Sequence, residues 1–155
     1  MTTLKLQAGE DHVKRLSGQS APGKALIELV WNALDAEATR IEISFSRNAL
    51  GGITRVEVAD NGHGFNRHEA PSDFGNIGGS WKRGKQKTQN GKRYLHGNKG
   101  QGRLRGFALG SKISWESIAE GVESGLERTA VKAEASQPDR VHISHGVVEA
   151  GDRST

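Results

Sequence analysis

The chain has 155 residues, enough for one ordinary domain that buries roughly 70% of the surface exposed by its unfolded form. Hydrophobic residues make up 34% and charged residues 26%, which excludes a disordered chain and a membrane protein, and the lack of cysteine excludes a disulfide scaffold and a thiolate zinc site. The first residues lack the basic start and long apolar stretch of a signal peptide, so we expect a cytoplasmic protein without a membrane partner.

Positive charge is concentrated in one part of the chain. The formal net charge is +4, but ten basic residues and no acidic residue lie between Phe74 and Trp115. The remainder carries 12 basic and 18 acidic residues. The basic segment 82–105 suits a polyanion, either the phosphates of a nucleotide or a nucleic-acid backbone, and a solvated basic loop is the alternative.

In chain order, the first half is predicted to contain two helices and a β-hairpin. A short helix is expected near 10–16. Residues 24–38 are rich in Ala, Leu and Glu without internal Gly or Pro, and predict a helix of about four turns. Residues 40–45 and 53–58 alternate apolar with polar side chains around Gly51-Gly52, which predicts a half-buried hairpin.

The second half begins with a glycine-rich, polar stretch. Residues 60–102 show no periodic pattern and predict a long loop region, which in a compact domain is usually a functional lid or disordered. Three further strands are predicted at 112–117, 128–133 and 141–144. The chain therefore combines helices and strands in one domain.

The long predicted helix carries a narrow polar stripe. At about 100° per residue, Glu28, Asn32 and Asp35 fall within roughly 60° of one another. Apolar residues cover most of the remaining surface, so much of the helix is expected to be buried. Burying an unpaired charge costs several kcal/mol, so the stripe is a candidate binding site, although it could also face solvent or hydrogen-bond to the backbone.

A first glycine motif follows the second strand of the predicted hairpin. In Asp60-Asn-Gly62-His-Gly64, a carboxylate at a strand end precedes two glycines that allow close backbone approach and positive φ. Ordinary strand-to-loop turns use the same residues, so the motif alone is weak evidence of a site.

A second glycine motif lies in the basic segment. Its glycines, Gly97, Gly100 and Gly102, precede residues 104–109, which can start a helix. Backbone N–H groups at this spacing can meet phosphate, assisted by the helix dipole and by Lys99 or Arg103. This motif is also weak evidence when taken alone.

Together and in this order, the three motifs resemble the boxes of the gyrase, Hsp90, histidine-kinase and MutL superfamily of ATPases. The helix box is Glu28-Leu-Val-Trp-Asn32-Ala-Leu-Asp35-Ala36, and the resemblance covers residues 20 to 115. It implies the Bergerat fold, an α+β two-layer sandwich with a mixed, mostly antiparallel sheet and helices on one face. Residues 1–155 would form a single ATP-binding domain with a lid at about 66–96.

The resemblance implies a site for ATP and Mg²⁺. Asn32 would coordinate Mg²⁺, Asp60 would accept the adenine amino hydrogen bond, and the second glycine motif would wrap the phosphates. Glu28, one helical turn before Asn32, would be the general base, and its presence favours the gyrase, Hsp90 and MutL branch over histidine kinases. The implied ATP-binding set is Asn32, Asp35, Asp60, Gly62, Gly64, Gly97, Lys99, Gly100, Gln101, Gly102 and Arg103.

Two other signals are weaker than these motifs. Residues 79–85 match the opening of a P-loop, but Gln86 stands where Ser or Thr must ligate Mg²⁺. The six histidines form no metal-binding helix motif, and His142 and His145 would face opposite sides of a strand.

The chain also departs from the superfamily pattern. A third box, a Gly-Thr pair opening a late strand, is not found, nor is the second domain that supplies a lysine to the γ-phosphate. We therefore expect either a fragment of a longer protein or a minimal single-domain member, with slow turnover.

Three functions remain open at this point. The chain could be an Mg²⁺-dependent ATPase whose lid closes on ATP and couples nucleotide state to homodimerisation or partner binding. It could be a nucleotide-gated switch without appreciable turnover. It could also bind nucleic acid through the basic segment.

Overall fold

The computed structural model describes residues 1–6, 21–75, 105–121, 125–137 and 139–148. The predicted helix at 10–16, the second glycine motif and the P-loop-like segment lie outside these residues. No helix in the described part is long and apolar enough to cross a membrane. The elements are β1 (Thr2–Lys5), α1 (Pro22–Asp35), β2 (Ile41–Arg47), β3 (Ile53–Asp60), α2 (Glu69–Gly75), a 3₁₀-helix (Gly106–Ala108), β4 (Lys112–Glu120), β5 (Leu126–Glu134) and β6 (Arg140–Val147).

The strands form two sheets, a four-stranded sheet in the order β1-β6-β5-β4 and the β2–β3 hairpin. Every strand pair among the described residues is antiparallel. The predicted α+β class is confirmed. The strands in the described part of the chain are divided between two antiparallel sheets, whereas the resemblance implied one mixed, mostly antiparallel sheet. The turn that follows β3 is joined to β4 by a hydrogen bond from Phe65 N to the Ser117 side chain.

The hydrophobic core lies on one face of the four-stranded sheet. Successive strand residues point to opposite faces, and every second residue of β5 from Thr129 to Ala133 is buried. Helix α2 covers this face, and the Phe74 ring packs edge-to-face on Phe65 and Trp115, with centroid distances of 5.3 and 5.1 Å. The buried core residues are Leu6, Ala70, Phe74, Val131, Ala133, Val141 and Ile143.

Helix α2 lies inside the stretch that the sequence predicts as a loop, so the loop prediction is wrong for residues 69–75. A capping box starts this helix: Asn66 Oδ1 accepts hydrogen bonds from the backbone N–H groups of His68 and Glu69, both at 3.0 Å, and Glu69 Oε2 accepts from Asn66 N at 3.0 Å. Seven residues are too short to show a helical period, but Asn-x-x-Glu was a readable start signal.

Helix α1 begins and ends earlier than the predicted 24–38. Pro22 starts it because its fixed φ and missing N–H suit the first helical turn. The helix ends where Glu37 adopts a positive φ of 64° and Ala38 N donates to the Ala33 carbonyl at 3.1 Å. This is the Schellman pattern, with glutamate in the position that usually holds glycine.

Burial of α1 is one-sided, unlike the prediction of a mostly buried helix. Ala25 and Ala33 are buried, but Ile27 and Trp31 are exposed. A helix that packs on one layer buries only the side facing that layer.

The β2–β3 hairpin is confirmed, and its strands are longer than predicted. Gly51 takes a φ of 82°, and Asn48 Oδ1 accepts from Leu50 N at 3.0 Å and from Gly52 N at 2.8 Å. The apolar face of the hairpin is more exposed than the alternation predicts, including Phe45. Strands β4, β5 and β6 are also confirmed, with ends that extend beyond the predicted ranges.

Candidate functional site

The polar stripe of α1 is present, and its members differ in exposure. Glu28 and Asn32 are half-buried, whereas Asp35 is only 2% exposed. Glu28 and Asn32 therefore have surface to offer a ligand. Asp35 is almost completely buried, and its place in the ATP-binding set stays a prediction.

Glu28 forms an ion pair with Arg105, which donates from Nη1 to Glu28 Oε1. Arg105 immediately precedes the 3₁₀-helix, and that helix packs on α1. The two side chains are partly exposed, 26% for Glu28 and 35% for Arg105. The chain just after the second glycine motif is thus connected to the predicted general base.

The first glycine motif forms a turn that returns to the start of β2. Asp60 is exposed, and its Oδ1 accepts from Gly62 N at 2.8 Å. Asn61 Oδ1 accepts from Thr39 N at 2.9 Å and from Arg40 N at 2.8 Å. One asparagine side chain therefore fixes the turn to the segment that follows α1.

The same turn packs directly on the C-terminal end of α1. His63 N donates to the Ala36 carbonyl at 2.9 Å. A Cβ on Gly62 would lie 2.6 Å from the Ala36 carbonyl oxygen, so a side chain at this position cannot fit without displacing backbone. The predicted close backbone approach at Gly62 is confirmed.

Gly64 fixes the far side of the turn. Its φ is +66°, as the prediction of positive φ required, and a Cβ there would overlap the Ser117 hydroxyl. Phe65 N donates to Ser117 Oγ at 2.8 Å. The turn therefore lies between the end of α1 and strand β4.

Helix geometry orders the candidate residues along α1. With a rise of about 1.5 Å per residue, Asn32 lies about 6 Å and Glu28 about 12 Å from Ala36 along the axis. The Asp60 turn sits at the Ala36 end. The structure thus brings the helix stripe and the first glycine motif into one line, whereas Gly97, Lys99, Gly100, Gln101, Gly102 and Arg103 lie outside the described residues.

The ligands near the stripe are too few to hold a metal ion by themselves, but they suit a metal ion that is also bound by phosphates. No group of three or more His, Asp or Glu side chains in the described part of the chain could hold a metal. Mg²⁺ is usually bound by one or two protein oxygens plus water and substrate phosphates. An amide oxygen from half-buried Asn32 is a ligand of this kind.

The sequence did not point to two acceptor residues next to the turn, Ser117 and Glu127. Ser117 accepts from Phe65 N, and Glu127 Oε1 accepts from Arg67 N at 2.6 Å. Glu127 also faces the Arg67 guanidinium, at 3.7 Å between Oε2 and Nε. A hydroxyl in the apolar alternation of β4 was the signal that could have found Ser117.

An α+β domain in which a Glu-Asn-Asp helix stripe meets an Asp-x-Gly-x-Gly turn is typical of a nucleotide-binding ATPase domain. A family described as histidine kinase-, DNA gyrase B- and HSP90-like ATPase matches residues 20–146, and the chain belongs to this family. Membership implies that the chain binds ATP.

Similarity to individual proteins indicates the MutL-type branch of this family. The chain is 50% identical to the DNA mismatch repair protein MutL of Acidiphilium cryptum over 70 residues, which is 45% of this chain and 10% of that protein. It is 58% identical to MutL of Sphingopyxis alaskensis over 43 residues, 28% of this chain and 7% of that protein. The chain therefore covers only a small part of these relatives.

Proposed function

We propose that the chain binds Mg²⁺–ATP along α1 and hydrolyses it slowly. The adenine lies at the Asp60 turn, and the phosphates extend toward Glu28. The observation that carries this arrangement is the hydrogen bond from His63 N to the Ala36 carbonyl, at 2.9 Å, because it places the turn at the end of the polar stripe.

Asp60 is suited to recognise the adenine amino group. Its carboxylate is exposed, and one oxygen, Oδ1, already supports the turn by accepting from Gly62 N. The other oxygen can accept a hydrogen bond from the ligand. The absence of side chains at Gly62 and Gly64 lets the turn pack closely against Ala36 and Ser117, which fixes the backbone that carries Asp60.

Asn32 and Glu28 are suited to the phosphate end. The Asn32 amide oxygen would hold Mg²⁺, which neutralises charge on the phosphates when it is bound. Glu28, one helical turn further along the stripe, would accept a proton from the attacking water. Gly97, Lys99, Gly100, Gln101, Gly102 and Arg103 would surround the phosphates.

The Glu28–Arg105 ion pair supports slow turnover. Arg105 occupies one oxygen of the carboxylate that must accept the proton. Helix α2 packs in the core, so closure would involve only the part of the predicted 66–96 lid that lies beyond this helix, and it would couple nucleotide state to dimerisation or to a partner. A nucleotide-gated switch without turnover is the second candidate, because the same ion pair restrains the base.

Steady-state hydrolysis and ATP affinity, measured on wild type and Glu28→Ala, test this proposal. We expect slow turnover in wild type, and lost turnover with retained binding in Glu28→Ala. Glu57→Ala, which removes an exposed carboxylate from the hairpin, is the matched control and should change neither quantity. Binding without turnover in wild type would support the switch instead.

Asp60→Asn tests the adenine end separately. Asparagine keeps one oxygen that can accept from Gly62 N, so the turn should remain folded. Its second side-chain atom is an NH₂ group, which cannot accept a hydrogen bond from the adenine amino group. We expect ATP affinity to fall at least tenfold without a change in the circular dichroism spectrum. Unchanged ATP affinity would contradict the assigned role of Asp60.

A further inference from the structure

The core face of the four-stranded sheet changes from apolar to polar toward the Asp60 turn. On β4 the inward positions run from Ile113 through Trp115 to Ser117, and on β5 the partners of the last two are Val131 and Thr129. The next inward position on β5 is Glu127, two residues before Thr129. Three inward polar groups, the hydroxyls of Ser117 and Thr129 and the carboxylate of Glu127, therefore lie at the end of the sheet nearest the turn.

Ser117 and Glu127 accept hydrogen bonds from the backbone just beyond Gly64. Ser117 Oγ accepts from Phe65 N at 2.8 Å, and Glu127 Oε1 accepts from Arg67 N at 2.6 Å. Both acceptors are well shielded from water, since Ser117 is 8% exposed and the Glu127 side chain 13%. Shielded hydrogen bonds of this kind fix backbone position more firmly than exposed ones.

The Ser117 hydroxyl serves the turn and not the sheet. Thr129 lies directly opposite Ser117 in the ladder, yet Thr129 Oγ1 is fully buried and has no hydrogen-bond partner among the described residues. If the role of Ser117 were to pair buried polar groups within the sheet, its hydroxyl would hydrogen-bond to Thr129 Oγ1. Its partner is instead the Phe65 amide, next to Gly64.

We infer that Ser117 and Glu127 are positioning residues for adenine recognition. They hold the chain from Gly64 to Arg67 against the sheet and thereby set the orientation of the Asp60 carboxylate, five residues before Phe65. This inference rests on the proposed function, because it assumes that Asp60 reads the base. It predicts a selective loss of base recognition, with phosphate binding retained.

The test compares ATP, GTP and base-free tripolyphosphate, each with Mg²⁺, as ligands of wild type and variants. In Ser117→Ala we expect ATP affinity to fall about tenfold and the preference for ATP over GTP to shrink similarly. Affinity for tripolyphosphate should stay unchanged. Ser114→Ala, on the exposed face of the same strand, is the matched control and should behave as wild type.

Glu127 allows a conservative variant that separates position from charge. Glu127→Gln keeps an acceptor oxygen for Arg67 N and should retain most of the ATP affinity. Glu127→Ala removes this acceptor, and its ATP affinity should fall as much as that of Ser117→Ala. Amide hydrogen exchange gives a readout that needs no nucleotide: exchange at Phe65 should accelerate in Ser117→Ala, and exchange at Arg67 in Glu127→Ala.

The outcomes distinguish this inference from the proposed function. If wild type binds ATP but Ser117→Ala binds it equally well, the positioning role is overturned and the proposed function stands. Equal losses for ATP, GTP and tripolyphosphate, with a lower melting temperature, would indicate a structural role only and would also overturn it. If wild type binds tripolyphosphate but shows no preference for ATP, base recognition by Asp60 fails, and the positioning role with it.

Discussion

The two ends of the stripe on α1 are held by different kinds of interaction. At the Ala36 end, hydrogen bonds that each involve a backbone group join the Asp60 turn to the end of α1, to the residue before β2 and to β4. Two helical turns away, Glu28 is held by one ion pair with Arg105. A partly exposed ion pair contributes little and is easily exchanged, whereas a turn anchored on three sides is preorganised for its ligand.

This comparison indicates a division of work within the site. In the proposed arrangement, the adenine end would be formed before the nucleotide arrives and would select the ligand. The phosphate end would have a side-chain contact that a phosphate can replace. Substitutions at the adenine end should therefore change the free energy of unfolding more than substitutions at the phosphate end.

The largest effect is expected for Gly64→Ala. The new Cβ would meet the Ser117 hydroxyl, and alanine is disfavoured at a φ of +66°. Together these effects should lower the free energy of unfolding by about 2–4 kcal/mol. Urea denaturation measures this, with Gly146→Ala as the control because nothing lies within 4 Å of a Cβ at that glycine. A loss below that of Gly146→Ala would mean that the adenine end is not preorganised.

Asn61→Ala should have the next largest effect. It removes the acceptor for Thr39 N and Arg40 N and the donor to Thr39 Oγ1, and should cost about 1–2 kcal/mol, since these groups can regain water. Asn61→Asp keeps an acceptor oxygen and should cost less. Chemical denaturation of both variants compares them, and equal losses would show that the amide donor, not the acceptor, holds the turn.

A gain in stability is expected from Glu37→Gly. Glutamate at a φ of 64° is strained, and glycine adopts this conformation freely, so the free energy of unfolding should rise by about 1 kcal/mol. Glu37→Ala keeps the Cβ and should show no such gain. Thermal unfolding of the two variants separates backbone strain from the loss of the glutamate side chain.

Local patterns were enough to predict α1, the hairpin and the two glycine roles, because helical period, alternation and turn chemistry act over a few residues. The contacts that complete the site join residues far apart in sequence: Phe65 and Ser117 are 52 positions apart, and Arg105 and Glu28 are 77. Such pairings depend on strand register and on how the 3₁₀-helix docks, which no local pattern encodes. Helix α2 was missed because seven residues show no period.

The smallest effect is expected at the phosphate end, from Arg105→Gln. The ion pair with Glu28 is partly exposed, so its loss should cost only about 0.5 kcal/mol at low salt and almost nothing near 1 M salt. Lys112→Gln, which removes a more exposed ion pair with Glu134, is the matched control. A double-mutant cycle of Arg105→Gln with Glu28→Gln, measured by urea denaturation at both salt concentrations, gives the coupling directly. A coupling energy larger than the loss of unfolding free energy in Asn61→Ala would reverse the comparison. The phosphate end would then be the more firmly fixed part of the site, and the Asp60 turn the more adaptable one.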